Sequence, residues 1–354
     1  MGRRGGALRD GGREGSQPAW QGGAHQVERV HSARLPARAG PPGRDPLHRP
    51  PHQPRHAAPR RGPRGRRAGS SRRRRVGLAA FLKLVFAGTA AFAVPSLRAL
   101  HSAGHEIALV ITQPDRPGHR MKMTPPPVKV AAVELGLDVY QPDRIREASV
   151  VERVRLLAPD LMVVVAYGQI IPPAILEIPR RGVLNVHASL LPRWRGASPV
   201  AHAILAGDGE TGVTIMKMDE QLDHGPVLAS RAISIDPGED TPALTERLAE
   251  AGAELLAETI ARLDELQATE QDHAKATLAP RLTRQDGALE WEMGAEEIDR
   301  RVRALQPWPG ATLPTKRGRV KVLKGHVDGS RYVPDLVQLP GKRPAPARQV
   351  LDDA

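Results

Sequence analysis

The sequence predicts an α/β chain, built as a doubly wound, mostly parallel sheet followed by a small β-rich module. Three observations carry this. Between residues 82 and 266, apolar runs of strand length alternate with segments of helical periodicity. The strand candidates are nearly continuous apolar runs, such as LMVVVA at 161–166, as expected where both faces of a sheet are covered. Beyond residue 278 the pattern changes to short strand-like pieces divided by Gly and Pro.

In order, residues 82–87 (LKLVFA) form the first strand, and 94–103 form a helix on the spacing of Val94, Leu97 and Leu100. Further strands fall at 106–112, 139–141, 161–166 and 183–187, separated by helices at 128–135 and 148–157. Residues 227–235 read as another strand, and 241–266 as a long helix capped by Thr241. The pattern lapses at 267–278, and 289–291, 311–313 and 320–323 follow as short strands. The expected organisation is therefore a 1–80 extension, an α/β domain at 81–275 and a β-rich domain at 276–354.

The 354 residues are enough for two domains, and their net charge is +13. That charge misleads: residues 1–80 hold 19 Arg, no Lys and four acidic residues, a net of +15, so the remainder nets −2. The extension is rich in Arg, Gly and Pro without apolar periodicity, and is expected to be disordered. Arg without Lys is what out-of-frame reading of GC-rich DNA produces, so a misplaced start is expected near Val76 or Leu78; a nucleic-acid-binding arm and an organelle transit peptide are the alternatives. With no Cys, a disulfide, a thiolate metal site and a thiol nucleophile are excluded. No apolar run approaches the ~18 residues of a membrane span, so a soluble, cytoplasmic protein without membrane association is expected.

In doubly wound sheets, ligands gather beyond the C-terminal strand ends. There the densest polar cluster is NVHASLLPRWRG at 185–196, which starts in a strand and runs into a loop. Alternation puts Asn185 and His187 on one face. Either residue alone reads more readily as hydrogen-bonded structure than as catalysis. The turn MDEQLDHGP at 218–226 supplies an acidic residue close to a Gly, and an Asp there that orients or charges an imidazole would complete an acid-base set. One His and one Asp fall short of the three protein ligands of a catalytic zinc, so no metal is expected. His202 and His224 are taken as bystanders.

The ordered segments FAGT (86–89), TQPDRP (112–117), VVAYGQIIP (164–172), NVHASLLPRWRG and LDHGPVL (222–228) resemble the folate-dependent formyltransferase family, and within it the methionyl-tRNA formyltransferases. The resemblance covers nearly everything from residue 82. It implies a Rossmann-like catalytic domain at 81–275, an OB-like tRNA-binding domain at 276–354, 10-formyltetrahydrofolate as formyl donor and methionyl initiator tRNA as acceptor, with no obligate protein partner. It also implies a catalytic trio of Asn185, His187 and Asp223, and a folate-binding loop at Ser189, Leu190, Leu191 and Pro192. Arg116, Arg120, Lys122 and Lys129 match the family's tRNA-gripping insertion, although from charge alone this basic stretch reads equally well as a solvated loop. Arg300, Arg301 and Arg303 would steer RNA backbone. Gln221, His224 and the Ala90-Ala91 pair depart from the family pattern, and the C-terminal domain looks abbreviated, with an open barrel as the consequence. Formylation of an amino sugar nucleotide is the alternative activity, and a nonenzymatic RNA-binding protein the alternative of another class.

Overall fold

The computed structural model describes residues 81–118, 123–316 and 318–351. The extension at 1–80, with its expected misplaced start, and the candidates Arg120 and Lys122 lie outside the described residues.

The chain opens with β1 (Lys83–Gly88), α1 (Val94–Ser102), β2 (Glu106–Ile111), a small ribbon of β3 (Arg116–Pro117) and β4 (Met123–Thr124), then α2 (Pro127–Glu134) and β5 (Val139–Tyr140). It continues through α3 (Ala148–Leu157), β6 (Leu161–Val165), α4 (Pro173–Leu176), β7 (Val183–His187), β8 (Arg195–Gly196) and α5 (Pro199–Ala206). Next come β9 (Glu210–Lys217), β10 (Val227–Ser234), α6 (Thr241–Ala261) and β11 (Leu278–Ala279). The C-terminal part holds α7 (Ala295–Ala304), β12 (Ala311–Thr315), β13 (Gly318–Asp328), β14 (Arg331–Gln338), β15 (Ala345–Pro346) and α8 (Ala347–Leu351).

Seven strands form the main sheet in the order β10-β9-β7-β6-β1-β2-β5. The five from β7 to β5 run parallel, while β9 pairs antiparallel with β7, and β10 with β9. The order reverses between β1 and β6, which opens the crevice of a doubly wound sheet at their C-terminal ends. Strand alternation splits the core in two. Leu84, Phe86, Leu161, Val163, Leu184 and Val186 face α1, α2, α5 and α6, whereas Val85, Ala87, Met162, Val164 and Val183 face α3 and α4. Leu97 and Leu100 of α1 are fully buried, each stabilising the fold by about 1.5–3 kcal/mol.

The C-terminal part is an open four-stranded antiparallel sheet, β12-β13-β14-β15, against which α7 buries Ala295, Ile298 and Val302 at helical spacing. Residues 289–291, expected as a strand, belong to none: Ala288 makes one isolated bridge to Thr312. Helix α7 meets the α/β part directly, since Thr241 Oγ1 donates to the Ala304 carbonyl at 2.7 Å and Arg303 Nη1 to the Glu239 carbonyl at 3.0 Å.

The expected cap of the long helix is corrected. Asp240, in extended backbone, accepts from the Ala243 amide at 3.0 Å, while Thr241 is already helical. The helix stops at Ala261 instead of 266. Among the elements that carried no separate expectation are α4, α5 and β9. Among the described residues no helix is long and apolar enough to cross a membrane.

Candidate active site

The site is built from the segments just beyond β1, β2, β6 and β7. Past the end of β1, Thr89 Oγ1 donates to the Tyr167 carbonyl at 2.8 Å, and Gln113 Nε2, just past β2, donates to that same carbonyl at 2.8 Å. One carbonyl after β6 thus ties three strand ends together and fixes the floor of the crevice. On β7, Asn185 pairs in register with Val164 and Met216, and His187 with Thr214. Because strand side chains alternate, both point to the face that also carries Val183. Each is less than 10% exposed.

The structure brings the expected trio together. His187 Nδ1 lies 3.7 Å from Asp223 Oδ1, and Asn185 Nδ2 lies 3.4 Å from the same oxygen. The other carboxylate oxygen accepts a firm hydrogen bond, 2.8 Å, from the Gly196 amide. Oδ2 is therefore anchored, whereas Oδ1 faces two side chains at distances too long for strong bonds and is available to a substrate. On its far side, His187 Nε2 lies 2.9 Å from the Trp194 carbonyl, which can only accept. The Nε2 proton is thereby fixed, leaving Nδ1 as the nitrogen that faces Asp223.

This geometry is held by strained backbone. Trp194, with φ 61°, and Asp223, with φ 46°, are non-glycine residues in the left-handed region, which costs of order 1–3 kcal/mol each and persists only where neighbours over-determine it. Trp194 is held by its amide, which donates to Thr277 Oγ1 at 2.9 Å, and by its indole Nε1, which donates to Asp208 at 2.8 Å. Arg193 grips the same Asp208 through Nε and Nη2, which pushes the guanidinium pKa up.

The Ser189, Leu190, Leu191 and Pro192 loop follows directly. Ser189 Oγ donates to the Arg193 carbonyl at 2.6 Å, Thr214 Oγ1 donates to the Ser189 carbonyl at 2.7 Å, and the Leu191 amide donates back to Thr214 Oγ1 at 3.1 Å. The loop is thus a fixed shelf beside His187. Leu191-Pro192 is a cis peptide bond.

Of the expected tRNA-contacting residues, the two that are described, Arg116 and Lys129, have other engagements. Lys129 Nζ holds both oxygens of Asp115 at 2.8 Å, Gln141 Nε2 adds a third bond at 2.7 Å, and the Asp115 carboxyl is held below its usual range by Gln141 first and Lys129 second. Arg116 Nη2 donates to Gln113 Oε1 at 2.5 Å. In α7, Arg301 pairs with Glu297 and Arg303 with Asp299, while the Arg300 side chain lies against Gly207. Among the departures from the family pattern, His224 accounts for itself structurally: its Nδ1 lies 2.7 Å from Asp219 Oδ2 and its ring stacks on His273 at 3.9 Å. The Gln221 amide caps the same turn through Asp219 Oδ1 at 2.9 Å.

Sequence reasoning missed the stretch around Thr269 to Ala279. Gln271, His273 and Thr277 all touch the site's loops, yet they carry neither period nor motif, and nothing in the sequence marks them.

Residues 82–260 match the formyl transferase family and 281–343 its C-terminal domain, which makes the chain a protein of the formyl transferase class. The chain belongs to the methionyl-tRNA formyltransferase family. It is 47% identical over 259 residues to the methionyl-tRNA formyltransferase of Roseobacter denitrificans, covering 73% of this chain and 85% of that protein. Among solved structures, HypX from Aquifex aeolicus in complex with tetrahydrofolic acid is similar in fold, at a TM-score of 0.54 and 18% identity; the overlap covers 77% of this chain and 47% of HypX. The N-formyltransferase of Helicobacter canadensis in complex with folinic acid and dTDP-3-aminofucose gives 0.54 at 17% identity, covering 70% of this chain and 88% of that one.

Proposed function

We propose that this chain transfers the formyl group of 10-formyltetrahydrofolate to the α-amine of methionyl initiator tRNA, in the cytoplasm. The observation that carries the reading is the convergence of Asn185, His187 and Asp223 in a chain 47% identical to a methionyl-tRNA formyltransferase. Residues 81–275 would carry the chemistry, with Ser189, Leu190, Leu191 and Pro192 against folate. Residues 276–354, with Arg116, Arg120, Lys122 and Lys129, would hold tRNA.

The neutral amine attacks the formyl carbon, and the carbonyl electron pair moves onto oxygen. Asn185 Nδ2 is a donor for that oxyanion, joined by His187 Nδ1 in the imidazolium form, in which the ring carries a second proton besides the one on Nε2; one such preorganised donor is worth about 3–4 kcal/mol. The attacking nitrogen becomes cationic and gives a proton to Asp223 Oδ1, the oxygen without a firm partner. The tetrahedral centre then collapses, the bond from carbon to folate N10 breaks, and that proton passes to N10. The products are the formylated amine and tetrahydrofolate.

Formyl transfer to charged initiator methionyl-tRNA tests this, with His187→Ala beside the parent. Expected is activity in the parent and a loss of roughly 100- to 1000-fold in the variant. A parent that formylates an amino sugar nucleotide but not the charged tRNA overturns the acceptor, and a fully active His187→Ala overturns the chemistry.

A further inference from the structure

We infer that Gln271 is a positioning residue of the formyl-transfer site, holding the strained Asp223 turn in the one backbone conformation that aims its carboxylate at His187. The inference rests on the formyl-transfer reading above.

Asp223 cannot hold itself there. Its φ of 46° is unfavourable for a residue with a side chain, so the turn relaxes unless its backbone is gripped on either side. Gln271 supplies that grip. Its amide nitrogen donates to the Asp223 carbonyl at 3.0 Å and to the Gly225 carbonyl at 2.7 Å, spanning the turn with both protons of one NH2 group. Its Oε1 accepts from Arg195 Nε at 3.2 Å and Nη2 at 2.6 Å, and Arg195 Nη2 lies 2.9 Å from His273 Nδ1. Gln271 is 7% exposed and Arg195 8%, so these bonds are made away from solvent, where leaving a partner unpaired costs most.

The far side of the clamp is catalytically relevant too. Arg195 adjoins Gly196, whose amide anchors Asp223 Oδ2, and follows Trp194, whose carbonyl fixes the His187 tautomer. One glutamine side chain thus joins the backbone that carries Asp223 to the loop that orients both Asp223 and His187. The segment bearing it is itself pinned: Thr269 and Val227 exchange amide and carbonyl bonds at 2.8 Å, and β11 pairs with β8. A side chain that reaches two loops at once from a pinned segment is suited to setting sub-ångström geometry, and a misplacement of about 1 Å is enough to cost ~100-fold in rate.

Gln271→Glu separates the two halves of the clamp. The carboxylate still accepts from Arg195 but cannot donate to Asp223 or Gly225. Expected is a fall in kcat of roughly 10- to 100-fold, with KM for both substrates within about twofold of the parent. Gln271→Met, which keeps the length and loses both polar ends, is read in parallel below its melting temperature and is expected to fall at least as far. Either variant folded and turning over at the parental rate overturns the inference. So does a rise in KM with kcat retained, or a failure of both variants to fold, which would assign Gln271 to stability alone. Asp223→Asn, assayed beside them, keeps the two claims apart. A slow Asp223→Asn with a fast Gln271→Glu removes only this inference, whereas an inactive parent or a fully active Asp223→Asn removes the formyl-transfer reading and this inference with it.

Discussion

Replacing Gly196 with alanine strikes the point where the two loops of the candidate site meet. Gly196 has φ 122°, a conformation side chains rarely adopt, and a Cβ there would sit 2.7 Å from the Ala279 carbonyl oxygen and 3.2 Å from its carbon. Both are backbone atoms of β11, so no rotamer change relieves the contact. Overpacking of this kind costs about 1–3 kcal/mol, and the backbone strain adds about 1–2 kcal/mol. The expected loss is thus about 2–5 kcal/mol, a shift in Tm of roughly 4–20 °C for a domain of this size. Function should suffer as well, because relief comes only by moving the Gly196 amide that anchors Asp223 Oδ2 at 2.8 Å. Differential scanning fluorimetry gives the first quantity, and formyl transfer measured well below the variant's Tm gives the second. A Tm within about 2 °C of the parent together with a kcat within about twofold would refute the reasoning.

Three further outcomes are expected. Asp223→Asn keeps the shape but loses the proposed proton acceptor, so kcat should drop roughly 100- to 10,000-fold while folate binding, read by fluorescence titration, stays near the parental value. The Asp115 carboxyl is held low by Gln141 and Lys129, so its contribution to stability is present above the unfolded carboxylate value of about 4 and is lost as pH falls through the lower folded value. Asp115→Asn should flatten that acid limb of the urea midpoint against pH, and an unchanged limb would contradict the assignment. The Tyr167 hydroxyl is buried, finds no hydrogen-bond partner among the described residues, and has its pKa pushed up by burial. Tyr167→Phe should therefore stabilise by about 1 kcal/mol, and a lowered Tm would show that the hydroxyl is bonded.

The strands at 161–166 and 183–187 and the helix at 148–157 were legible because each writes its own period into the sequence, and the structure places them within a residue of expectation. The end of α6 was not. Residues 262–266 remain good helix formers, but the chain turns after Ala261, with the Arg262 backbone already outside the helical region. Thr241 looked like a cap by residue type, yet its hydroxyl is spent on Ala304, 63 residues away, and Asp240 caps instead. Such a partner is invisible to any local window.

The candidate site divides along the same line. By itself, the sequence determined that Asn185 and His187 share a strand face, since side chains two apart in a strand point the same way whatever surrounds them. The resemblance of its ordered motifs selected Asp223 as their partner. Only the tertiary structure decided that Asp223 Oδ1 faces both side chains while Oδ2 is anchored, that the Trp194 carbonyl fixes which His187 nitrogen carries its proton, and that Gln271 grips the turn from 48 residues away. Those are contacts between segments distant in the chain. Their energies depend on how loops meet after the sheet has formed, and no spacing within either loop encodes that meeting.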